Sequence, residues 1–294
     1  MKAHALAVAL LLASLMCTAA SADNRVGVNA AIRNSVQEKN SGESALHPAV
    51  LRAPVALGDT VVSGNESALQ MLLLDHSVFT VGANAKVTID KFVYDPDRGT
   101  SDIAASVATG AFRFMSGRSL HGFGHDAINT PVASIGVRGT ILEGVVGPQA
   151  AQVLAQQPGL PPFTGDPANL NLIVLNGPGR GSQGFDTPGA IDVTAGGKTV
   201  TIDHPGEAVI VPGPGQPPFG PFDLTDAAFA KLSFLLRTEP TGPEDEGPQI
   251  GSAANASGDN NNVGPTGGDP YNQKTNGLNL PLPQRQTGDK GGGY

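Results

Sequence analysis

Between Thr60 and Val93 apolar and polar residues alternate with a period of two, most plainly in VTIDKFV, which is the pattern of strands with one face turned to a core. The alternation predicts strands near 60–63, 67–74, 77–82 and 85–93, with Leu69, Met71 and Leu73 on one face and Gln70 and Leu72 on the other. Asp75 and His76 form a turn inside this set. Asp95-Pro96-Asp97-Arg98-Gly99 is a turn-rich bend, and strands resume near 103–109 and 111–115. Further strands are expected at 132–137 and 141–146 and in LNLIVLNG, AIDVTAG, KTVTID and AVIVPG, the last two joined by His204-Pro205-Gly206. Upstream, Val26, Val28 and Ile32 mark a weaker first strand, and 35–44 reads as a connector.

The period changes to a helical one only at 225–237. Thr225 is an N-cap, Asp226 sits in the first turn where a negative charge is favourable, and Ala228, Phe229, Leu232, Leu235 and Leu236 form the apolar stripe. Pro240 stops it. Residues 147–169, rich in Gln, Ala and Pro, read as a loop excursion off the core, and 217–221 closes the sheet region. From 238 to 294 Gly, Pro, Asn and Asp prevail, so little apolar surface is available to offset ordering entropy and a disordered tail is expected. Many short strands separated by turn signals imply an all-β domain, and the pattern alone does not separate a sandwich from a solenoid.

Lys2, the apolar run from Ala5 to Met16 and the small residues Ala20-Ser21-Ala22 before Asp23 describe a secretory signal peptide over 1–22. The run is shorter than the about 20 apolar residues that span a bilayer, and Leu15-Met16 before Cys17 disfavours a lipoprotein site. Cleavage removes Cys17, the one cysteine of the 294 residues, and leaves a chain without disulfides or thiolate metal ligands. It also removes Lys2, leaving 17 basic against 26 acidic residues, a net charge of −9. A negative chain with no basic cluster is a poor nucleic-acid binder. These features predict an exported protein, periplasmic or secreted, with no transmembrane segment after cleavage.

The densest motif is INTPVASIGVRGTI, Ile128 to Ile141. Val132, Ile135 and Val137 are strand formers, Pro131 opens the run, Gly136 and Gly139 allow backbone angles or approaches that a Cβ would block, and the whole reads as strand, bend, strand. Thr130, Pro131, Ala133, Gly136, Val137, Arg138, Gly139 and Thr140 resemble the signature of the FecR family, the ferric-citrate regulator domain of bacterial envelopes. Two upstream landmarks agree in order: the strand-turn-strand around Asp75, His76 and Ser77, with His76 where the family usually has Gly, and ATGAFRFMSGRS, which carries Gly110. The resemblance implies an irregular β-solenoid-like or wrapped-sheet domain over 46–222, preceded by a segment at 23–45 and followed by the helix. It marks Asp75, Ser77, Gly110, Thr130, Pro131, Gly136, Arg138, Gly139 and Thr140 as structural or partner-binding positions. Family regulators carry a cytoplasmic segment and a membrane helix before this domain, so here the resemblance covers only the periplasmic module.

The apolar neighbours of Arg138 suggest partial burial, where a guanidinium must be fully paired, and hence a clamp between strands; the other reading is a partner contact. Asp75-His76-Ser77 contains the residue types of a hydrolase triad, but triads converge from distant positions, so a turn is expected. His121, His125 and Asp126 have a metal-ligand spacing only on a helix, which Gly117, Gly122 and Gly124 oppose. Gly177 to Ser182 lacks the Lys and following helix of a phosphate loop. Asp90, Asp95, Asp97 and Asp102 fit no calcium-loop spacing, and Asn65-Glu66-Ser67 and Asn255-Ala256-Ser257 match a glycosylation pattern by coincidence. The sequence thus reads as an exported, non-enzymatic chain without cofactor or metal that binds another envelope component, in signalling or, alternatively, as a scaffold on polysaccharide or another envelope polymer.

Overall fold

The computed structural model describes residues 24–117, 126–163, 165–180 and 189–239. The segment expected to be a signal peptide, the residues beyond 239, His121, His125 and the second glycosylation pattern lie outside the described residues. No helix among the described residues is long and apolar enough to cross a membrane.

Alternation sorts the strands into two layers. In the first, here sheet A, the order is β4 (Pro54–Ala56), β1 (Arg25–Arg33), β6 (Ala68–Leu73), β7 (Val78–Val81), the second part of β9 (Thr100–Met115), β12 (Ile141–Val146), β13 (Asn171–Gly177), β16 (Glu207–Val211) and β17 (Phe219–Asp223), all antiparallel. In sheet B the order is β3 (His47–Pro48), β2 (Val36–Lys39), β5 (Thr60–Ser63), β8 (Lys86–Asp95), the first part of β9, β10 (Asp126–Asn129), β11 (Ser134–Arg138), β14 (Ala190–Ala195) and β15 (Lys198–Ile202). Only β9 and β10 run parallel. The strands therefore form one mixed sheet that wraps over on itself without closing into a barrel.

The layers are joined by β9, which turns the corner at Gly110. Its φ is +87°, and a Cβ there would stand 2.2 Å from the Ala85 Cα. Two strands were expected on either side of Gly110; they are one continuous strand, because glycine lets the chain bend without leaving the hydrogen-bonded ladder.

Between the layers lies one apolar core. Leu69, Met71, Phe79 and Phe114 of sheet A meet Ile89, Ile128, Ile135 and Val193 of sheet B, all buried. The rings of Phe79 and Phe114 pack with centroids 5.9 Å apart. A second cluster covers the opposite face of sheet A, where Val145, Leu172, Val174 and Ile210 pack against two helices. Sheet A is thus buried on both faces at β13, which explains why NLIVLNG is continuously apolar rather than alternating.

One of those helices, α1 (Pro148–Leu154), occupies the segment expected to be a loop excursion. Its proline stands at the helix start, where the missing N–H is harmless, and Ala150, Val153 and Leu154 bury a stripe at helical spacing. The other, α2 (Asp226–Leu235), has the expected N-cap, Thr225 Oγ1 accepting from the Ala228 N–H, and buries Ala228, Leu232 and Leu235. The Thr225 N–H also donates to Gln157 Oε1 at 2.8 Å, tying α2 to the chain after α1. Smaller differences follow from shortness: β2 lies inside the expected connector, β17 extends the sheet past 217, and β3, β4 and β10 are too short to show a period.

Candidate functional site

The β10–β11 hairpin closes over Thr130, whose Oγ1 accepts from the Ala133 N–H at 2.9 Å. Pro131 therefore sits at the tip of a turn, where its fixed φ is useful, and does not open a strand; β11 begins at Ser134. Along β11 the period of two puts Ile135 and Val137 in the core and Ser134, Gly136 and Arg138 outside. Arg138 is consequently not buried: its side chain is 48% exposed, and Nη2 donates to Asp192 Oδ1 at 3.2 Å. The apolar neighbours that suggested burial are the inward half of the same alternation. Asp192 faces Gly136 in the strand register, so the guanidinium reaches its partner across a position that has no side chain. Gly136 is otherwise unconstrained, since a Cβ there would meet only the Asp192 Cβ at 3.9 Å. Gly139, by contrast, has φ +54° and turns the chain into β12.

Of the other motif residues, Asp75, Ser77 and Thr140 gather around the end of β9, away from Gly110 at its bend. Asp75 is buried, with Oδ1 accepting from the Ser77 N–H at 3.0 Å and Oδ2 from the Ser77 Oγ at 2.7 Å. Ser77 Oγ in turn accepts from the Gly117 N–H at 2.8 Å, and the Ser116 N–H donates to the Thr140 carbonyl. Thr140 is buried and its Oγ1 donates to the Pro178 carbonyl at 2.7 Å. These bonds fasten the 75–77 turn to the end of β9 and to the start of β12. His76 carries the turn in left-handed conformation, φ +67°, at the position where glycine is usual in the resembled family. Ser77 is wholly buried, so Asp75-His76-Ser77 is a structural turn rather than a nucleophilic site. Beside it lies the buried Asp126, which accepts from Ser116 Oγ at 3.2 Å. Burial, reinforced by the charges of Asp75 and Asp102 and opposed by hydrogen bonds from Ser116 and Ile103, pushes its carboxyl up to about 6.

An arginine clamp on a buried carboxylate does exist, at another residue. Arg113 Nε donates to Oε1 of the fully buried Glu143 at 2.8 Å, and Asn176 Nδ2 donates to the same oxygen at 2.7 Å. The three residues bridge β9, β12 and β13 on the helix side of sheet A. The signal was present in AFRFM, where Phe112 and Phe114 point inward and the arginine between them must point out, and in the lone acid of ILEGVV.

The outer face of sheet B carries a feature visible only through register. Thr60 pairs with Thr88, Thr88 with Ser106, and Ser106 with Asn129. Asn129 then pairs with Ser134, Ser134 with Thr194, and Thr194 with Thr199. The residues flanking this row along each strand, such as Val61, Ile89, Ile128, Ile135 and Val193, point into the core. A single ladder of hydroxyl and amide groups therefore crosses seven strands. The Thr60–Thr88 and Thr194–Thr199 hydroxyls bond to each other at 3.0 Å and 2.8 Å, and Ser134 Oγ donates to Asn129 Oδ1 at 2.9 Å. The next row holds Asp192, which accepts from Thr201 Oγ1 at 2.6 Å as well as from Arg138.

The remaining candidates are distributed. Asp95 Oδ1 accepts from the Asp97 and Arg98 amides, Asp90 from Ser106, and Asp102 pairs with Lys91, so this acidic run serves its own bend and strands. In the β15–β16 turn Asp203, His204 and Glu207 bring one metal-ligating atom each within 4.8 Å of the others. These groups are already engaged, Asp203 by Arg180 at 2.8 Å and by His204 Nδ1 at 2.8 Å. Gly177 to Arg180 forms the loop strapped over that turn, the Arg180 N–H donating to the Asp203 carbonyl; residues 181 and 182 lie outside the described residues.

No family model matches the chain, and no curated protein matches it. Among solved structures, two crystal structures of a "putative anti-sigma factor" from Parabacteroides distasonis ATCC 8503, at 1.65 and 2.50 Å resolution, are similar to it. Each has a TM-score of 0.36 and 13% sequence identity, over 56% of this chain and 60% of that one. The chain thus spans about three fifths of the length of these neighbours.

Proposed function

We propose that this chain is an exported, non-enzymatic, FecR-like module that engages another cell-envelope component through the outer face of sheet B, with Arg138 at its border. The observation that carries the reading is an asymmetry. Both helices pack on the outer face of sheet A, whereas among the described residues no element packs on the outer face of sheet B, and the motif arginine stands there exposed. A half-exposed guanidinium with one bond among the described residues keeps most of its five donors for a partner. Export is supported by the charged, apolar and small-residue order of the first 22 residues.

The test is a photo-crosslinking amino acid placed at Thr201, on the proposed face, and separately at Ala230, on the exposed side of α2, in the native host. Covalent adducts with an envelope component are expected from Thr201 and not from Ala230. Adducts from Ala230 alone would move the binding surface to the helical side.

A further inference from the structure

We infer that the hydroxyl ladder of sheet B is a track for an extended, uncharged polysaccharide chain lying across the strands. The inference rests on the reading that this face is the binding surface, and it names the ligand class. Neighbouring strands are about 4.8 Å apart, close to the advance per sugar of an extended β-linked hexose chain. Successive sugars would therefore meet equivalent groups from strand to strand. With Thr60 buried, the six strands from Thr88 to Thr199 give five steps, roughly 24 Å at that spacing, enough for about five sugars.

The chemistry of the ladder suits such a chain. Each Ser or Thr hydroxyl has one donor and two acceptor sites, so the exposed Thr194–Thr199 pair holds itself in position and still leaves a donor and acceptors facing outward, while Thr60, buried at the far end, anchors Thr88. Threonine is stiff at χ1, and little side-chain entropy is lost when a ligand binds a group already fixed. Charges bordering the ladder cancel in pairs, Arg138 with Asp192 and Lys91 with Asp102, and two more, Asp90 on Ser106 and Lys39 opposite Thr60, are of opposite sign. A balanced, hydroxyl-lined strip favours a neutral polyol over a nucleic acid or an acidic polymer, which would require a net positive surface. Adjacent strands also rotate by about 20°, so the track curves, and a single flexible chain follows it where a flat crystalline surface does not.

The experiment is binding of the full chain to an array of neutral β-1,4- and β-1,3-linked glucan, mannan, xylan and chitin oligosaccharides of graded length. At least one series should bind, with affinity rising with length to about five sugars, the number the accessible ladder accommodates. Loss of three neutral hydrogen-bonding groups, each about a fivefold factor, should weaken that binding on the order of a hundredfold in Ser134→Ala/Thr194→Val/Thr199→Val. The edge-strand change Thr199→Val alone should lower it about fivefold and leaves the core untouched, so the outcome does not depend on the triple variant folding. A blank array, binding that stops rising at two sugars, or binding that persists in both variants would each overturn the inference. If the array is blank while Thr201 still crosslinks to a protein, the glycan is excluded and the open-face reading stands; if both fail, both fall.

Discussion

Arg113 and Glu143 form an ion pair 2.8 Å apart in which the arginine is partly exposed and the carboxylate is wholly out of solvent. Removing the arginine leaves a charge in the interior with Asn176 as its remaining partner. Arg113→Ala should therefore cost about 3–5 kcal/mol in denaturant melts, the range for breaking a buried pair by deleting one side. The double change Arg113→Met/Glu143→Leu should recover most of that loss, because two apolar groups leave nothing unpaired. A double variant as unstable as the single one would show that shape, not charge, governs the site.

His76 supplies a left-handed turn, φ +67°, without being glycine. That conformation costs an L-residue with a Cβ about 1–2 kcal/mol, partly offset by the greater freedom of glycine in the unfolded chain. His76→Gly should raise stability by about 1 kcal/mol, read as a higher unfolding midpoint with an unchanged slope. A fall in the midpoint would mean that the imidazole makes a contact worth more than the strain.

Two motif glycines make opposite predictions. At Gly110 a Cβ would collide with the Ala85 backbone, and φ is +87°, so Gly110→Ala should lose at least about 2 kcal/mol through strain and overpacking. At Gly136 the same Cβ has room, with its nearest neighbour 3.9 Å away, and Gly136→Ala should stay within about 0.5 kcal/mol of wild type. Equal losses at the two positions would refute the corner assigned to Gly110.

Asp126 should make stability fall as pH rises. Its carboxyl is pushed up to about 6 from an ordinary 3.8, mainly by burial, so the folded chain holds a proton that the unfolded chain releases. The contribution is fully present below about pH 4 and is lost between pH 4 and 6. Two units at about 1.4 kcal/mol each put the effect on the order of 3 kcal/mol. Asp126→Asn should remove that component of the slope and be more stable than wild type at pH 7. Melts at pH 4, 5, 6 and 7 read it directly; a variant no more stable than wild type at pH 7 would contradict it.

Much of the sheet was legible because one buried face writes a period of two: the strand face shared by Leu69, Met71 and Leu73 follows from it, and strands at 60–63 and 141–146 and the turn at Asp75 also lie where expected. What was lost was lost for physical reasons. The helix at 148–154 is two turns long and its proline and two glutamines masked a three-residue stripe, while β9 looked broken because glycine permits a bend that sequence reads as a stop. Arg138 was misplaced because its apolar neighbours face the opposite way, and the clamp it was expected to form belongs to Arg113. The ladder could not be read at all, since each strand contributes one residue to it and only the register aligns them.

On the proposed reading Arg138 serves recognition rather than folding, and one variant separates the two. Arg138→Ala, carrying the photo-crosslinker at Thr201, is compared with the same chain retaining arginine, by adduct yield in the native host and by denaturant midpoint in vitro. Because the pair with Asp192 is half exposed, the stability change should be about 1 kcal/mol or less, while the adduct should be largely lost. An unchanged adduct yield, or a stability loss as large as that of Arg113→Ala, would contradict the account.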